Sequence, residues 1–417
     1  MDDDNTTLHI LRQRPAATAR GVVASVLASD APPPRSLYIH IPFCYHKCHY
    51  CDFYSFVDSQ DRQPAFVARL IDELRSLAPL AHGRPLRSIF VGGGTPTLLA
   101  DDLWRTVLAE LGSLFDLTEI WSGDGEFSVE CNPETARPAL FDILVAGGVN
   151  RISVGAQSFD PAHLNTLERH HDPASVGRAL DLAQCAGIKR RSIDLIYAIP
   201  NQSERDAAAD IDTALSMPID HLSAYNLTYE PQTAMTRRLE RGDFVPADED
   251  TELAMFWLIR ERCLAAGLDA YEVSNFARPG DECRHNLAYW RQEPWLAAGP
   301  SASAHIGGHR YKVVPNLTDY MNRSDDGHPP IVDHEPPDPA RALAEIVMTG
   351  IRLREGIDIA ECVSAAEEFG RAAALLAEIE SVRAQGWASA DSQRLTLNER
   401  GLPLADHVAS CLMSALQ

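Results

Sequence analysis

Short apolar segments alternate with longer amphipathic stretches over residues 36–270. The short segments have the length of β-strands, and the longer stretches repeat apolar residues at helical spacing. The predicted strands are 36–42, 87–91, 126–130, 151–155, 192–199 and 221–227. The predicted helices are 65–80, 101–115, 138–146, 174–186, 204–216 and 249–266. Such strand–helix repeats predict an α/β protein with a parallel sheet and right-handed crossovers. We therefore predict a partial (β/α)6 barrel, with a doubly wound open sheet as the alternative.

Polar residues and glycines lie at or just beyond the carboxyl ends of these strands. They are Gly92, Gly93, Gly94 and Thr95 after the second strand, Glu130 and Asn132 at the third, Gln157 after the fourth, Asp194 within the fifth, and Asn226 and Thr228 at the sixth. In (β/α) barrels the active site is built at the carboxyl ends of the strands. These residues therefore predict a single site at one mouth of the barrel.

The flanking segments have a different character. Residues 1–34 are polar and end in a proline run, which predicts a disordered tail and a stiff linker. Residues 271–325 form an extension of the barrel, and the acidic, proline-rich residues 325–340 predict a linker. From residue 340 to 417 the pattern is mostly helical, with two short extended segments near 387–397. This part predicts a smaller, mainly helical domain that is winged-helix-like.

Composition narrows the class of protein. Hydrophobic residues make up 45% and charged residues 23% of the 417, as in soluble globular proteins. The net charge of −22 argues against nonspecific binding to nucleic acid or to an anionic membrane surface. The acidic start of the chain lacks the features of a secretory signal, and the nine cysteines are too few for a disulfide scaffold. We therefore expect a cytoplasmic protein.

Three cysteines dominate the candidate chemistry. Cys44, Cys48 and Cys51 lie in a CxxxCxxC run directly after the first predicted strand. Thiolates are the usual ligands of iron–sulfur clusters, and three of them leave one iron of a 4Fe–4S cluster open to another ligand. Zinc is an alternative, with His46 or His49 as the fourth ligand, but no second ligand cluster is present. A redox dithiol formed by Cys48 and Cys51 is a further alternative, although it would leave Cys44 without a role.

Other residues carry weaker signals. The run Gly92–Thr97 (GGGTPT) is not a P-loop, but it could present backbone N–H groups to a carboxylate or phosphate, or it could be a tight turn. Glu130, Gln157, Arg169 and Asp194 could bind a polar organic cofactor, although each is individually an ordinary structural residue type. The run His285, Asn286, Tyr289 and Trp290 could contact a porphyrin, or it could be a capped turn with a buried tryptophan. His170, His171 and His305 are weaker candidates.

The residues resemble those of radical S-adenosylmethionine proteins of the HemN/HemW group. The cysteine run with Tyr38 and His40 before it carries the strongest part of this resemblance, together with the glycine run at 92–97. Further matching segments are 129–134 (VECNPE), 151–159 (RISVGAQSF), 167–170 (LERH), 194–200 (DLIYAIP), 348–353 (MTGIRL) and 395–401 (LTLNERG). The resemblance covers nearly all of the chain from residue 35 onward.

The resemblance implies two cofactors. In the group, the three cysteines hold a 4Fe–4S cluster, and its open iron is chelated by S-adenosylmethionine, which reductive cleavage converts into a 5′-deoxyadenosyl radical. The resemblance implies a cofactor pocket made of Tyr38, Tyr50, Gly93, Gly94, Thr95, Glu130, Gln157, Arg169, Asp194 and, through its backbone, Thr228. It leaves open whether S-adenosylmethionine is cleaved or only bound.

Two branches of the group are separated by two features. The oxygen-independent coproporphyrinogen III oxidases have a fourth cysteine at the position of Phe53, whereas the haem chaperones share the Cys-Asp-Phe ending and the HNxxYW run at 285–290. Both features favour the haem chaperones, the HemW branch, and imply haem as bound cargo contacted by His285, Asn286, Tyr289 and Trp290. The implied partners are an acceptor hemoprotein and an electron donor such as flavodoxin or ferredoxin, with no nucleic acid and with membrane contact only through the acceptor. The oxidase and a zinc-stabilised binding protein remain as alternatives.

Overall fold

The computed structural model describes residues 17–322, 326–389, 391 and 393–417. Its centre is a parallel sheet of six strands in the order in which they occur along the chain. These strands are β1 (Ser36–Ile41), β2 (Ser88–Gly93), β3 (Glu126–Cys131), β4 (Arg151–Gln157), β5 (Arg190–Tyr197) and β6 (His221–Asn226). The predicted α/β architecture with a partial barrel is confirmed, because β1 and β6 each pair with a different outer neighbour instead of with each other.

Helices connect these strands and cover the outside of the sheet. They are Gln63–Leu77, Asp101–Leu114, Thr118–Ser122, Pro138–Ala146, Pro161–Thr166, Ala174–Ala186, Glu204–Leu215, Ala234–Glu240 and Glu249–Ala265. Every other strand residue, such as Leu37 and Ile39 in β1, lies in the large apolar core. The alternating positions are mostly polar, and Ser36, Ser88 and His221 are examples that are also buried. The lumen of the barrel is therefore polar, whereas its outer face is apolar.

The sheet continues on both sides of the six strands. After β6 comes β7 (Asn275–Ala277), which is antiparallel to β6 and pairs with the short strand Asp269–Ala270. On the other side, β8 (Trp295–Ala298) is parallel to β1, with Ser36 opposite Trp295. Three antiparallel strands then follow, β9 (Ser303–Ile306), β10 (His309–Val313) and β11 (Ile331–Glu335). Residues 331–335 are therefore an edge strand, and the prediction of a linker over 325–340 is wrong there.

The predicted tail is also wrong in part. Residues 19–27 form a helix, Ala19–Leu27, whose first turn is capped by the side chain of Thr18. Its residues Val22, Val23 and Val26 are buried in the large core, so apolar burial at helical spacing holds this segment. Residues 1–16 lie outside the described residues.

The C-terminal part of the chain has an apolar core of its own, built from buried residues between Leu343 and Leu416. Its helices are Pro339–Gly350, Ile359–Glu367, Ala372–Ala384 and Ala405–Ser414. The two extended segments near 387–397 meet at an antiparallel bridge between Ala388 and Leu397. A short strand, Ile357–Asp358, pairs antiparallel with Arg394–Leu395. Among the described residues, no helix is long and apolar enough to cross a membrane.

Candidate cofactor site at the barrel mouth

The cysteine loop, residues 44–51, leaves the carboxyl end of β1 and is held by one backbone hydrogen bond at its base and two to other segments. Phe56 N donates to Pro42 O at 3.0 Å, which closes the base of the loop. His49 N donates to Leu167 O at 3.2 Å, and Met235 N donates to His49 O at 2.9 Å. The segments that follow β4 and β6 therefore hold the cysteine loop over the barrel mouth.

The three thiols are half-buried and free of disulfides. Burial raises the pKa of Cys51 to about 11, and the nearby Cys48 and Cys44 thiols add to this effect. Burial likewise raises the pKa of Cys44, although the Thr95 hydroxyl donates to its sulfur at 3.6 Å. Thiolates at these positions therefore need a cation to compensate their charge, which a metal centre supplies.

The side chains of His46 and His49, the two histidines of this loop, make their polar contacts with residues other than the cysteines. His46 Nε2 lies 3.5 Å from Glu168 Oε2, and His49 Nδ1 accepts from Arg238 Nη1 at 3.3 Å. The cysteines therefore form a set of three sulfur ligands without a fourth side chain at hand among the described contacts. This arrangement favours the cluster over the zinc site with His46 or His49.

The glycine run after β2 is held against the end of β1. Gly94 N donates to Ile41 O and Thr95 N donates to Phe43 O, each at 2.8 Å. Gly93 has a φ of +108°, in the left-handed region that favours glycine. A Cβ added at Gly94 would lie 2.7 Å from Phe43 O. The close approach of these two backbone segments therefore requires a residue without a side chain.

Two buried carboxyl groups, those of Glu130 and Asp194, lie beside this run and influence each other electrostatically. Glu130 Oε2 accepts from Gly93 N at 3.0 Å, and both oxygens of Asp194 lie within 3.0 Å of Ser153 Oγ. Burial, reinforced by the Asp194 carboxylate, raises the pKa of Glu130 to about 7. Burial also raises the pKa of Asp194. A cationic ligand group between these carboxylates would favour their ionised forms.

Arg169 connects this part of the mouth to the cysteines. Its Nη2 donates to Gly155 O at 2.9 Å, and its Nη1 lies 3.9 Å from Cys48 Sγ. Its Nε is buried without a partner, so one strong donor is left for a ligand. Gln157, at an irregularity in the β4–β5 pairing, has a φ of +66°. A Cβ at Gly155 would lie 2.9 Å from the Gln157 amide nitrogen, so these side chains crowd one region.

His40 also belongs to the site, although the sequence alone predicted no role for it. Its Nε2 lies 2.7 Å from Tyr54 O, which can only accept, so this nitrogen carries the proton. Nδ1 then accepts from the Tyr38 hydroxyl at 3.0 Å. Burial lowers the pKa of His40 to about 4, which keeps the ring neutral. The position of His40 two residues after Tyr38 on β1, on the same face of the strand, was the available signal.

The remaining predicted residues differ in how closely they join the site. Tyr50 packs into a small apolar cluster with Leu167 and Met235, and its buried hydroxyl lies near Cys48 and Arg169. Thr228 is exposed, and its hydroxyl donates to Asn226 O at 3.4 Å. The Asn132 side chain accepts from Glu134 N and so caps a turn. The structure therefore links Tyr50 to the cysteines, whereas Asn132 has a local structural role.

The HNxxYW run lies at the opposite end of the barrel. It forms the helix Arg284–Trp290, and His285 is 1% exposed. The His285 Nδ1 lies 2.9 Å from Ser88 Oγ, and its Nε2 lies 2.9 Å from the Tyr289 hydroxyl. Burial lowers the pKa of His285 to about 4. In this conformation His285 cannot ligate a haem iron without losing one of these bonds and leaving its buried position.

The same helix closes a polar layer at the amino ends of the strands. Glu126 accepts from Arg284 N at 3.0 Å and from Cys283 Sγ at 3.3 Å. His221 Nε2 lies 2.9 Å from the Tyr271 hydroxyl. Each of these polar groups is buried and hydrogen-bonded, as buried polar groups usually are. The helix Arg284–Trp290 is therefore a plug that seals the barrel at the end away from the cysteines.

Trp290 differs from the rest of the run because it faces a cavity. The cavity has a volume of about 230 Å³ and lies between the plug and the C-terminal core. Apolar side chains such as Leu343, Ile346 and Leu353 line one part of it, and Arg291 and Arg394 line another. The Arg352 guanidinium carbon lies 5.6 Å from the Trp290 ring centre. The cavity therefore combines an aromatic ring, an apolar wall and charged groups of both signs, because Glu355, Asp358 and Glu361 also line it.

The mouth fits the two cofactors that the resemblance implies. Three cysteine thiols, a buried arginine nitrogen without a partner, two buried carboxyl groups and a glycine run without room for side chains lie together there. The carboxylates suit the ammonium group of S-adenosylmethionine, and Arg169 suits its carboxylate. The cysteines would hold the cluster.

Two family models match the chain. The Radical SAM superfamily model matches residues 38–214, and the HemN C-terminal domain model matches residues 338–404. The first covers β1–β5, including the cysteine loop, and the second covers most of the C-terminal core.

Curated proteins and solved structures agree with these matches. The chain is 36% identical over 386 residues to "Heme chaperone HemW" of Mycobacterium tuberculosis, covering 91% of this chain and 95% of that protein. It is 37% identical over 275 residues to the protein of the same name from Escherichia coli, covering 66% and 71%. The crystallised coproporphyrinogen III oxidase HemN from Escherichia coli has the same fold, with a TM-score of 0.81 and 23% identity, covering 95% of this chain and 93% of that chain.

Proposed function

The chain belongs to the HemW family of radical S-adenosylmethionine proteins, and on this basis we propose that it is a haem chaperone. In this proposal it binds haem and passes it to an acceptor hemoprotein, while a 4Fe–4S cluster and S-adenosylmethionine occupy the barrel mouth. A cytoplasmic location and an electron donor of the flavodoxin or ferredoxin type are parts of the proposal.

One observation carries the proposal more than any other. The similarity to the heme chaperone from Mycobacterium tuberculosis extends over 95% of that protein, so it includes both the barrel and the C-terminal part. Phe53 supports the same assignment, because it stands where the oxidases have a fourth cysteine, and its side chain is 59% exposed beside the loop. The likeness to the oxidase structure, at 23% identity, concerns the fold.

The residues of the mouth have distinct tasks in this proposal. When bound, the cluster and S-adenosylmethionine supply an electron-transfer centre and a source of radical chemistry. Cys44, Cys48 and Cys51 hold the cluster, and Arg169 compensates charge near Cys48. Glu130 accepts a hydrogen bond from a cationic group of the cofactor, while its own position is fixed by the hydrogen bond from Gly93 N. Tyr38 hydrogen-bonds to His40, and His40 hydrogen-bonds to Tyr54 O, just after the cysteine loop. These contacts fix the position of the three thiols relative to the pocket.

We propose that haem binds in the cavity beside Trp290. The plug residues His285 and Tyr289 support this wall from behind through their mutual hydrogen bond, and Asn286 lies on the same helix. Trp290 offers a stacking surface. Arg291 lines the cavity in an ion pair with Glu355, and Arg394 donates to the backbone carbonyls of Glu355 and Gly356, so a propionate would have to compete with these partners. A cavity of about 230 Å³ covers part of a porphyrin, and incomplete burial suits a chaperone that must release its cargo.

Haem titration of the anaerobically purified, cluster-loaded protein tests this haem-binding site. We expect Trp290→Ala to weaken haem binding at least tenfold, and Trp121→Ala, which removes an exposed tryptophan elsewhere, to leave it unchanged. If Trp290→Ala binds haem as the wild type does, the cavity beside Trp290 is not the haem-binding site. If His285→Ala removes the Soret shift while its unfolding midpoint stays that of the wild type, His285 is a ligand after a rearrangement of the plug.

Delivery and the oxidase alternative are tested with the same preparation. We expect haem to transfer to an apo-hemoprotein acceptor, and we expect no protoporphyrinogen from coproporphyrinogen III with reductant and S-adenosylmethionine. Formation of that product at a catalytic rate would replace the chaperone proposal with the oxidase. Iron and acid-labile sulfide analysis separates both from a zinc-stabilised binding protein, and deoxyadenosine analysis shows whether S-adenosylmethionine is cleaved.

A further inference from the structure

A second group of metal-ligand side chains lies on the outer side of the cysteine loop. His46 comes from that loop, and Glu168 and His170 come from the loop after the helix Pro161–Thr166. The His170 Nε2 lies 3.0 Å and the His46 Nε2 lies 3.5 Å from the same atom, Glu168 Oε2. One ligand atom from each of the three residues lies within 4.8 Å of the other two.

The backbone holds this group together. The hydrogen bond from His49 N to Leu167 O, at 3.2 Å, ties the two loops beside it. Glu168 has a φ of +55°, which costs free energy for a residue with a side chain and sets the direction in which its carboxylate leaves the loop. The two imidazole ring centres are 4.7 Å apart. The three side chains are therefore arranged around one point by two segments that are fixed to each other.

The chemistry of the donors defines the ligand. Two imidazoles and one carboxylate suit a divalent transition metal such as zinc, and they leave positions open for water. With bonds of about 2.0–2.1 Å, ligand atoms around tetrahedral zinc are roughly 3.3 Å apart, close to the two separations observed here. A haem iron accepts axial ligands from opposite faces of its ring, so three donors that converge from one side suit a free cation instead.

We propose that His46, Glu168 and His170 form a site for a divalent transition metal that fastens the cysteine loop to the loop after β4. The site is separate from the three cysteines, because His46 turns to Glu168. Metal bound there holds His46 in place, two residues from both Cys44 and Cys48, and so stabilises the loop that carries the cluster. The proposal is independent of haem binding.

Zinc titration with a chromophoric competitor tests the proposal in two backgrounds. In the cluster-loaded protein we expect one zinc per chain and a higher unfolding temperature with zinc. In a Cys44→Ser, Cys48→Ser, Cys51→Ser variant we expect that one zinc still binds. His170→Ala and, separately, His46→Ala should lower the affinity at least tenfold in both backgrounds, whereas His82→Asn, at an exposed histidine, should not. Equal zinc affinity in His170→Ala and wild type, or loss of all zinc binding with the cysteines, would overturn the proposal.

Discussion

The Glu130 carboxylate accepts the backbone N–H of Gly93 at 3.0 Å, across the two neighbouring strands β3 and β2. This contact leaves no room for a side chain at Gly92, the preceding residue of β2. A Cβ added at Gly92 would lie 2.9 Å from the carboxyl carbon of Glu130. The glycine run thus fixes a carboxylate of the cofactor pocket, in addition to bringing the chain close to β1.

Replacement of Gly92 by alanine should therefore displace the Glu130 side chain. We expect S-adenosylmethionine affinity of the cluster-loaded protein to fall about tenfold or more, because the carboxylate would no longer face its cationic partner. Isothermal titration measures the effect. Gly177→Ala is the matched control, since a Cβ there meets nothing closer than 4.0 Å. Unchanged affinity in Gly92→Ala would remove Glu130 from the pocket.

Each of the three cysteines should be needed for the cluster. Cys44→Ser, Cys48→Ser and Cys51→Ser are each expected to reduce reconstituted iron from about four atoms per chain to near zero. Cys185→Ser provides the control, because Cys185 is exposed and lies in a helix on the outside of the barrel. Iron and sulfide analysis with the visible absorption spectrum measures the result. Full iron content in any one of the three variants contradicts the assignment of that ligand.

The plug histidine should matter for stability. His285→Ala leaves buried hydroxyls of Ser88 and Tyr289 with one partner fewer and opens a void, which should cost about 2–4 kcal/mol of unfolding free energy. His82→Asn, at an exposed position, should change it by less than about 0.5 kcal/mol. Denaturant unfolding followed by circular dichroism distinguishes the two. Equal midpoints for His285→Ala and wild type would show that the contacts of His285 do not contribute to the unfolding free energy.

A buried carboxyl group on the outside of the barrel should make stability depend on pH. Glu73 accepts from the Tyr320 hydroxyl at 2.6 Å and from Gly299 N at 2.9 Å, and burial raises its pKa to about 7. The folded pKa lies above the unfolded value, so the folded state is favoured by the protonated form. The contribution of this group is therefore fully present below about pH 4.5 and is lost as the pH rises to 7.

Glu73→Gln should remove this dependence. Relative to the wild type, the variant is expected to gain unfolding free energy as the pH rises from 4.5 to 7, by at most about 3 kcal/mol. Denaturant unfolding at several pH values measures the difference between the two proteins. Asp102→Asn, at an exposed helix position, is the control and should show no such trend. A constant difference across this range would mean that Glu73 titrates normally.

The alternation of short and long segments was sufficient to predict the six parallel strands to within two residues at each end. This works because strand length and helical spacing are local properties of the chain. The cysteine loop and the glycine run were likewise visible, since their residue types are unusual for their positions. The structure adds that Glu130, which is at a strand end, and Asp194, which is within a strand, lie near Arg169, whose place after the helix Pro161–Thr166 carried no positional signal.

Other features depend on distant contacts and could not be obtained in this way. The segment Ala19–Leu27 has helical spacing, but its burial depends on a surface made by residues far along the chain. The role of His285 depends on Ser88, a partner almost two hundred residues away, so the same motif is compatible with a ligand and with a plug. Similarly, the pairing of β8 with β1 carries no local signal, because an isolated strand fits many sheet positions.

That last pairing has a consequence for synthesis of the protein. Ser36 and Trp295 are neighbours in the sheet, yet the ribosome makes the second roughly 10–50 s after the first at ordinary translation rates. During this interval the outer edge of β1, next to the cysteine loop, has no partner strand from its own chain. Unpaired edges of this kind promote aggregation. Production at low temperature with a co-expressed holdase, which protects exposed strand edges until β8 is made, should therefore increase the soluble yield.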